Sequence, residues 1–379
     1  MNVFNIKKNH KIMLIFLVLI MLSLIITFLL GRDDLNDEIH DTKKNEEKRD
    51  GADKDYTELP SWQTIDPQDL DYVVDPYQTY TYDQMEQDLD QLKENYGDLL
   101  EVRTIGKSVL GKDLYAVRIG NEDNTILVEA SHHAREWIST NLTMKKLDRY
   151  AYKYVQNEKI GEFNIREILD DVGIWFVPMV NPDGVTLHQK GLDGIPEEYH
   201  DEFVDYNVDW AGEDFYLWKA NINGVDLNRQ YPADWEDSDC TGVRFAMNYK
   251  GEEPLSEPES QALYEFTKET KPLSAISYHT RGQVIFWYYH NKHLERDQEI
   301  GDQLSELTGY TLYPPRPDYR GANFNDWFIQ KFDRPAYILE LVPFTGDEED
   351  RDLDYLKTEW KNNREVAVFL AKVANKKLK

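Results

Sequence analysis

The chain has 379 residues, 41% of them hydrophobic, enough to bury the core of one large α/β domain or two small ones; one large domain is the expectation. Its formal charge of -28 argues against nucleic acid as a partner, because a phosphate binder needs a basic face. A single cysteine, Cys240, excludes an intramolecular disulfide and a cysteine-based metal site, and reads as a small buried residue.

Residues 1–11 carry Lys7, Lys8 and Lys11 ahead of an apolar run at 12–30 whose polar members are Ser23 and Thr27. About 20 such residues cross a bilayer as a helix. No small-x-small cleavage site follows, so the run reads as a single-pass transmembrane signal anchor, with 1–11 cytoplasmic and the rest of the chain outside the cell membrane. Secretion after cleavage is the alternative. At 31–58 charged residues dominate and large apolar ones are scarce, the composition of a disordered tether. Residues 59–80, with Pro60, Pro67 and Pro76, lead into a catalytic domain at 81–379.

That domain opens with Thr81 capping a helix whose apolar positions are Met85, Leu89, Leu92 and Tyr96, closed by Gly97. Leu100 to Ile105 and Leu114 to Ile119 read as a hairpin, Ile126 to Val128 as a buried central strand, Ile138 to Val155 as a long helix, and Gly173 to Val180 as the next strand. From Val185 to Trp218 the pattern breaks down into an expected surface insertion. Helices are expected at Glu257 to Glu269, Glu295 to Leu307 and, in one piece, Asp352 to Ala374, with strands at Leu273 to Tyr278 and Tyr337 to Leu341. The alternation predicts an α/β fold, a mixed, mostly parallel central sheet with helices on both faces.

Chemistry gathers where strands end. His133 and Glu136 follow the central strand at a spacing that lets both reach one ion if the chain turns there, although HxxE alone also describes a helix-start Glu beside a solvated His. His279 leaves the Ala275 to Tyr278 strand. Together the three make a His2Glu set, the arrangement of a catalytic zinc with an open water position, one Zn2+ per chain. Water there needs a base. Glu340 offers one, a carboxylate inside the apolar strand Ala336 to Val342, where an unpaired charge costs several kcal/mol. His132 reads as a residue behind the ligands or on the surface, and His188, His200, His290 and His293 as solvated.

These residues resemble the zinc metallocarboxypeptidases of the carboxypeptidase A type from about Tyr80 onward. His133-Ala134-Arg135-Glu136-Trp137 is similar to the zinc motif and Asn181-Pro182-Asp183-Gly184 to the substrate loop. Gly224-Val225-Asp226-Leu227-Asn228-Arg229 matches the carboxylate-binding segment, Ser277-Tyr278-His279 the third-ligand strand, and Asn325-Asp326-Trp327 and Glu340-Leu341 the pocket and base segments. The resemblance implies a peptide substrate, Asn228 and Arg229 on its carboxylate, Arg135 at a neighbouring subsite, and Glu340 as general base.

Departures bear on substrate. Lys219 stands where the family has an oxyanion-stabilising arginine, keeping the charge and losing the planar fork. Tyr319 is the near match for the mobile tyrosine, one residue out of place. Asn325 gives a polar, uncharged pocket floor. Arg281 replaces a tyrosine and suits an extra substrate carboxylate. With the insertion after Gly184, the pattern looks most like bacterial γ-D-glutamyl diamino-acid peptidases, implying a peptidoglycan stem peptide; a monomer is the separate expectation. The alternatives are a general extracellular carboxypeptidase and, from another class, a wall-binding pseudoenzyme.

Overall fold

A computed structural model of the protein describes residues 61–200, 215–290, 292–344 and 352–378. The predicted segments at 1–11, 12–30 and 31–58 lie outside the described residues; among the described residues no helix is long and apolar enough to cross a membrane. From Ser61 to Tyr80 the chain is pinned to the domain. Val73 and Val74 donate backbone N–H groups to the buried Asp148 carboxylate at 3.0 and 2.9 Å.

Thr81 accepts from Gln84 N at 3.2 Å and starts α1 (Tyr82–Tyr96), which ends at Gly97 with φ 53. There follow β1 (Leu100–Lys107), β2 (Asp113–Ile119), β3 (Thr125–Ala130), α2 (Ile138–Gln156), a small hairpin of β4 (Lys159–Ile160) and β5 (Phe163–Asn164), α3 (Ile165–Asp171), β6 (Gly173–Val177) and α4 (Pro182–Lys190). The second half supplies α5 (Pro258–Thr270), β7 (Ala275–Thr280), β8 (Val284–Phe286), α6 (Leu294–Thr308), β9 (Thr311–Leu312), α7 (Phe324–Phe332), β10 (Ala336–Leu341), α8 (Asp352–Asn363) and α9 (Val366–Lys377).

Eight strands form one sheet in the order β1-β2-β6-β3-β7-β10-β8-β9. Its centre, β6-β3-β7-β10, is parallel; β2 and β8 flank it antiparallel. Period-two alternation splits the core. Ile126 and Val128 face one layer with α2, α6 and α9, whereas Leu127 faces the other with Leu263, Phe266 and Phe328. Burial on both sides explains why β3 reads as a continuous apolar run. The parallel strands β3, β7 and β10 end at one edge, where their outgoing residues meet.

Three expectations are corrected. The strand from Gly173 stops at Val177, because Pro178 has no N–H to continue the ladder. The chain after Asn181 is not irregular at first: Asn181 caps α4, accepting from Gly184 N at 3.0 Å, and Val185 and Leu187 are buried. The C-terminal helix is two helices. The carbonyls of Asn363 and Arg364 accept from Lys146 Nζ and Tyr150 OH, so they are engaged by α2 where one continuous helix would need them.

Candidate active site

Past β3, Ser131 takes a left-handed φ of 52 and the chain winds into a single 3-10 turn, Ala134–Glu136. That turn brings His133 and Glu136 together. The N–H groups of Ala134 and Arg135 bond the carbonyls of Lys219 and Trp218, each at 3.0 Å, which fixes the Lys219 segment against the same turn.

His133 Nδ1 lies 2.9 Å from Glu136 Oε1, His279 Nδ1 lies 2.8 Å from Glu136 Oε2, and the two Nδ1 atoms are 3.2 Å apart. Lys219 Nζ is 2.9 Å from Glu136 Oε1, and Thr280 N donates to Oε2 at 3.2 Å. This is a metal-ligating geometry. Ligands at about 2.0–2.1 Å from a tetrahedral zinc sit about 3.3 Å from one another, close to the 2.9, 2.8 and 3.2 Å that separate these three residues' ligand atoms. Glu136 Oε1, buried, accepts no well-angled hydrogen bond despite its two close neighbours. The donor set therefore fits zinc.

Behind the triad, His133 Nε2 meets Asp226 Oδ1 at 3.1 Å, which turns Nδ1 inward. Burial opposes ionisation of Asp226, yet His133, Arg229 and Lys219 hold its carboxyl far below the usual carboxylate range. Burial likewise opposes ionisation of Glu136; His133 and Lys219 override it and keep that carboxyl well below its ordinary value. Glu340 goes the other way. Burial first, then the charge of Glu136, push it up to about 8 against Lys219, His133 and Arg135.

Two cavities meet at Lys219 and Glu340. The first, about 170 Å³, holds His133, Asn228, Arg229, His279, Tyr319 and Asn325. Arg229 donates to the Asn228 carbonyl at 2.9 Å, Asn228 Oδ1 accepts from Phe324 N at 3.0 Å, and Asn228 Nδ2 is 3.1 Å from His279 Nε2. Asn325 accepts from Ser277 Oγ at 2.7 Å through Oδ1, leaving its buried Nδ2 without a hydrogen bond. Tyr319 is 39% exposed at the rim, its ring stacked on the Arg316 guanidinium at 4.6 Å. The second cavity, about 290 Å³, holds Arg135 and Arg281.

The structure thus gathers every predicted site residue around one centre, with refinements. Arg281 is ion-paired with Asp352 at 2.8 Å, so its charge is partly compensated. Glu340 is not sealed in the core: it opens into both cavities. His132 is fully buried between Glu129 (2.7 Å) and Tyr231 OH (3.0 Å). His188 is buried and bonds the Phe215 carbonyl, His290 and His293 pair with Asp234 and Asp333, and Cys240 is half-buried. Sequence reasoning singled out neither Asp226 nor Asp352. Asp226 was legible inside the Gly224 to Arg229 motif; Asp352 carries no local signal.

The zinc carboxypeptidase family profile matches residues 85–328. The chain belongs to the zinc carboxypeptidase family. As a zinc carboxypeptidase relative it is a zinc-dependent hydrolase. A γ-D-glutamyl-L-diamino acid endopeptidase of Lysinibacillus sphaericus is 34% identical over 273 residues, covering 71% of this chain and 67% of that protein. An uncharacterised Bacillus subtilis protein, YqgT, is 34% identical over 244 residues, 63% of this chain and 64% of the relative. The fold matches crystal structures of thrombin-activatable fibrinolysis inhibitor (TM-score 0.66, 19% identity, 80% of this chain and 76% of that one) and of the Helicoverpa armigera carboxypeptidase A (TM-score 0.61, 17% identity, 82% and 76%).

Proposed function

We propose that this zinc carboxypeptidase relative hydrolyses the bond between γ-D-glutamate and a diamino acid in cell-wall peptides, and that residues 12–30 hold the enzyme on the outer face of the membrane. His133, Glu136 and His279 would hold the zinc. When bound, zinc supplies a Lewis acid and lowers the pKa of the attacking water. Glu340 receives the water proton and delivers it to the departing nitrogen. Lys219 Nζ donates to the scissile carbonyl oxygen as negative charge develops there. Arg229, with Asn228, binds a carboxylate on the amine side of the bond, which the diamino acid supplies.

The observation that carries the reading is the position of Glu340 between the two cavities, beside the triad and within the fields of Lys219 and Arg135. The Lysinibacillus relative supports the bond type. A second reading, a general carboxypeptidase, draws on the Asn228, Arg229 and Tyr319 grouping in the first cavity, which suits any C-terminal carboxylate.

The deciding experiment incubates zinc-loaded protein with L-Ala-γ-D-Glu-diaminopimelate and with an α-linked peptide, products being identified by mass spectrometry and Glu340→Gln serving as control. Cleavage of the γ-bond, lost in the variant, is expected. Release of only a terminal residue from the α-peptide gives the second reading, and a zinc content near zero in the protein as purified, before zinc is added, the non-catalytic one. N-terminal sequencing of the mature protein tests the anchor: a start past residue 30 overturns it.

A further inference from the structure

The second cavity is a cationic one. Arg135, Lys219 and Arg281 line it, against the carboxylates of Asp352 and Glu340, and it shares Lys219 and Glu340 with the Arg229 cavity, which contains neither Arg135 nor Arg281. Two of its cations are largely withdrawn from solvent, Lys219 at 19% and Arg281 at 22% side-chain exposure, so a carboxylate entering there meets them at reduced screening. Arg281 is also fixed: its guanidinium is held by Asp352 at 2.8 Å, at the N-terminal end of α8, so part of the ordering entropy of a long side chain is already spent.

A peptide bond seated over Glu340 with its amine-side residue in the Arg229 cavity must put its acyl-side residue in this second space. The chemistry of that residue separates substrates. An α-linked residue offers only a side chain and a continuing backbone there. A residue linked through its γ-carboxyl carries its α-carboxylate a few bonds from the scissile carbon, as a fixed negative charge.

We propose that the cavity around Arg281 and Arg135 is a carboxylate-binding subsite for the acyl-side residue, by which the enzyme accepts γ-linked D-glutamate with a free α-carboxylate and discriminates against the same residue carrying an α-carboxamide. The inference rests on the γ-D-glutamyl reading above and deepens it: the enzyme would be selective for non-amidated stem peptides. Amidation removes the charge and places an NH2 donor where Arg281 and Arg135 also donate, so the penalty has both a lost attraction and an unpaired donor.

The test compares two synthetic peptides, L-Ala-γ-D-Glu-diaminopimelate with the glutamyl α-carboxylate free and with it as carboxamide, on the zinc-loaded enzyme. A hydrogen-bonded charge contributes about 1.5–3 kcal/mol, so kcat/KM is expected to favour the free acid by about tenfold to a hundredfold, chiefly through KM. In Arg281→Gln the ratio of the two kcat/KM values collapses toward one, and Arg281→Lys restores part of it. Calorimetry gives a readout independent of turnover. The acyl-side product L-Ala-D-Glu binds wild type more tightly than L-Ala-D-isoglutamine, and Arg281→Gln loses the difference. Wild-type enzyme that cleaves both peptides with equal kcat/KM overturns the subsite and leaves the bond assignment standing. So does an undiminished ratio in Arg281→Gln. Cleavage of neither γ-linked peptide overturns the bond assignment and the subsite together.

Discussion

Glu340 and His279 are register partners on β10 and β7, adjacent parallel strands, so both side chains leave the same face of the sheet about 4.8 Å apart along the hydrogen-bonding direction. The same register sets Leu341 against Thr280, and Ile338 against Ser277. The relationship makes the distance between a metal ligand and the carboxylate beside it a property of the sheet, and gives Glu340→Gln a specific signature. Turnover is expected to fall by about 10²–10⁴-fold, the contribution of a general base. Zinc should stay at one per chain, because Glu340 stands outside the His133, Glu136 and His279 set. Steady-state kinetics together with metal analysis check this; zinc lost in step with activity would make Glu340 part of the metal site instead.

Asp226 fixes the orientation of His133 through the 3.1 Å contact at Nε2, and it accepts from Asn228 N at 3.0 Å and Asn248 N at 3.1 Å. Asp226→Asn keeps the size and removes the charge that favours a ligating imidazole. Zinc affinity is expected to fall about 10–100-fold, read by competition with a chelator. Unaltered affinity would show that burial alone orients the ring.

Lys219 lies 2.9 Å from Glu136 and lines both cavities. Its charge beside the triad opposes a second cation there, so Lys219→Ala should leave zinc affinity undiminished while turnover falls by about 10²–10³-fold, the loss expected for an oxyanion donor. Lys219→Arg should recover part of the rate. A drop in zinc affinity with kcat intact would assign Lys219 to holding Glu136 in place.

Away from the metal, Glu259 on α5 is buried under the segment that carries Lys219, accepting from Val109 N at 3.1 Å and Asn221 Nδ2 at 3.2 Å. Burial raises its carboxyl to about 8, with the nearby Asp183 adding to the effect. A folded pKa above the unfolded value, about 4.3, means the stabilising contribution is complete below that value and is lost as pH rises through about 8. Denaturant titrations should therefore show wild-type stability declining between about pH 5 and 8 by on the order of a few kcal/mol. Glu259→Gln should flatten that decline, and parallel curves for the two proteins would show that Glu259 is already ionised at low pH.

Much of the site was readable because its residues sit in short stretches with their own chemistry: His133 and Glu136 in one turn, Asn228 and Arg229 in one motif, His279 and Glu340 each ending an apolar strand. The strands themselves were legible for a related reason, since β3 and β7 are buried along their whole length and β3 and β10 leave runs of apolar residues. What was misread depends on partners far along the chain. The break between α8 and α9 comes from Lys146 and Tyr150 reaching across to carbonyls more than two hundred residues away, which no local pattern encodes. His188 looked solvated because it lies in a polar segment, and it is buried, its Nδ1 bonded to the carbonyl of Phe215, 27 residues on.

By itself, then, the sequence determined the layer architecture, the residues able to hold zinc and the family to which the chain belongs, all of which rest on periodicity and on residue types within a few positions of one another. The tertiary structure decided the rest: that β7 and β10 run in a register setting Glu340 against His279, that Asp226 stands behind His133, that Lys219 rather than an arginine reaches Glu136, and that Arg281 is tied to Asp352 in the second cavity. Those are relations between segments brought together by burying a common core, and the free energy that fixes them is spread over the whole domain rather than written in any one stretch.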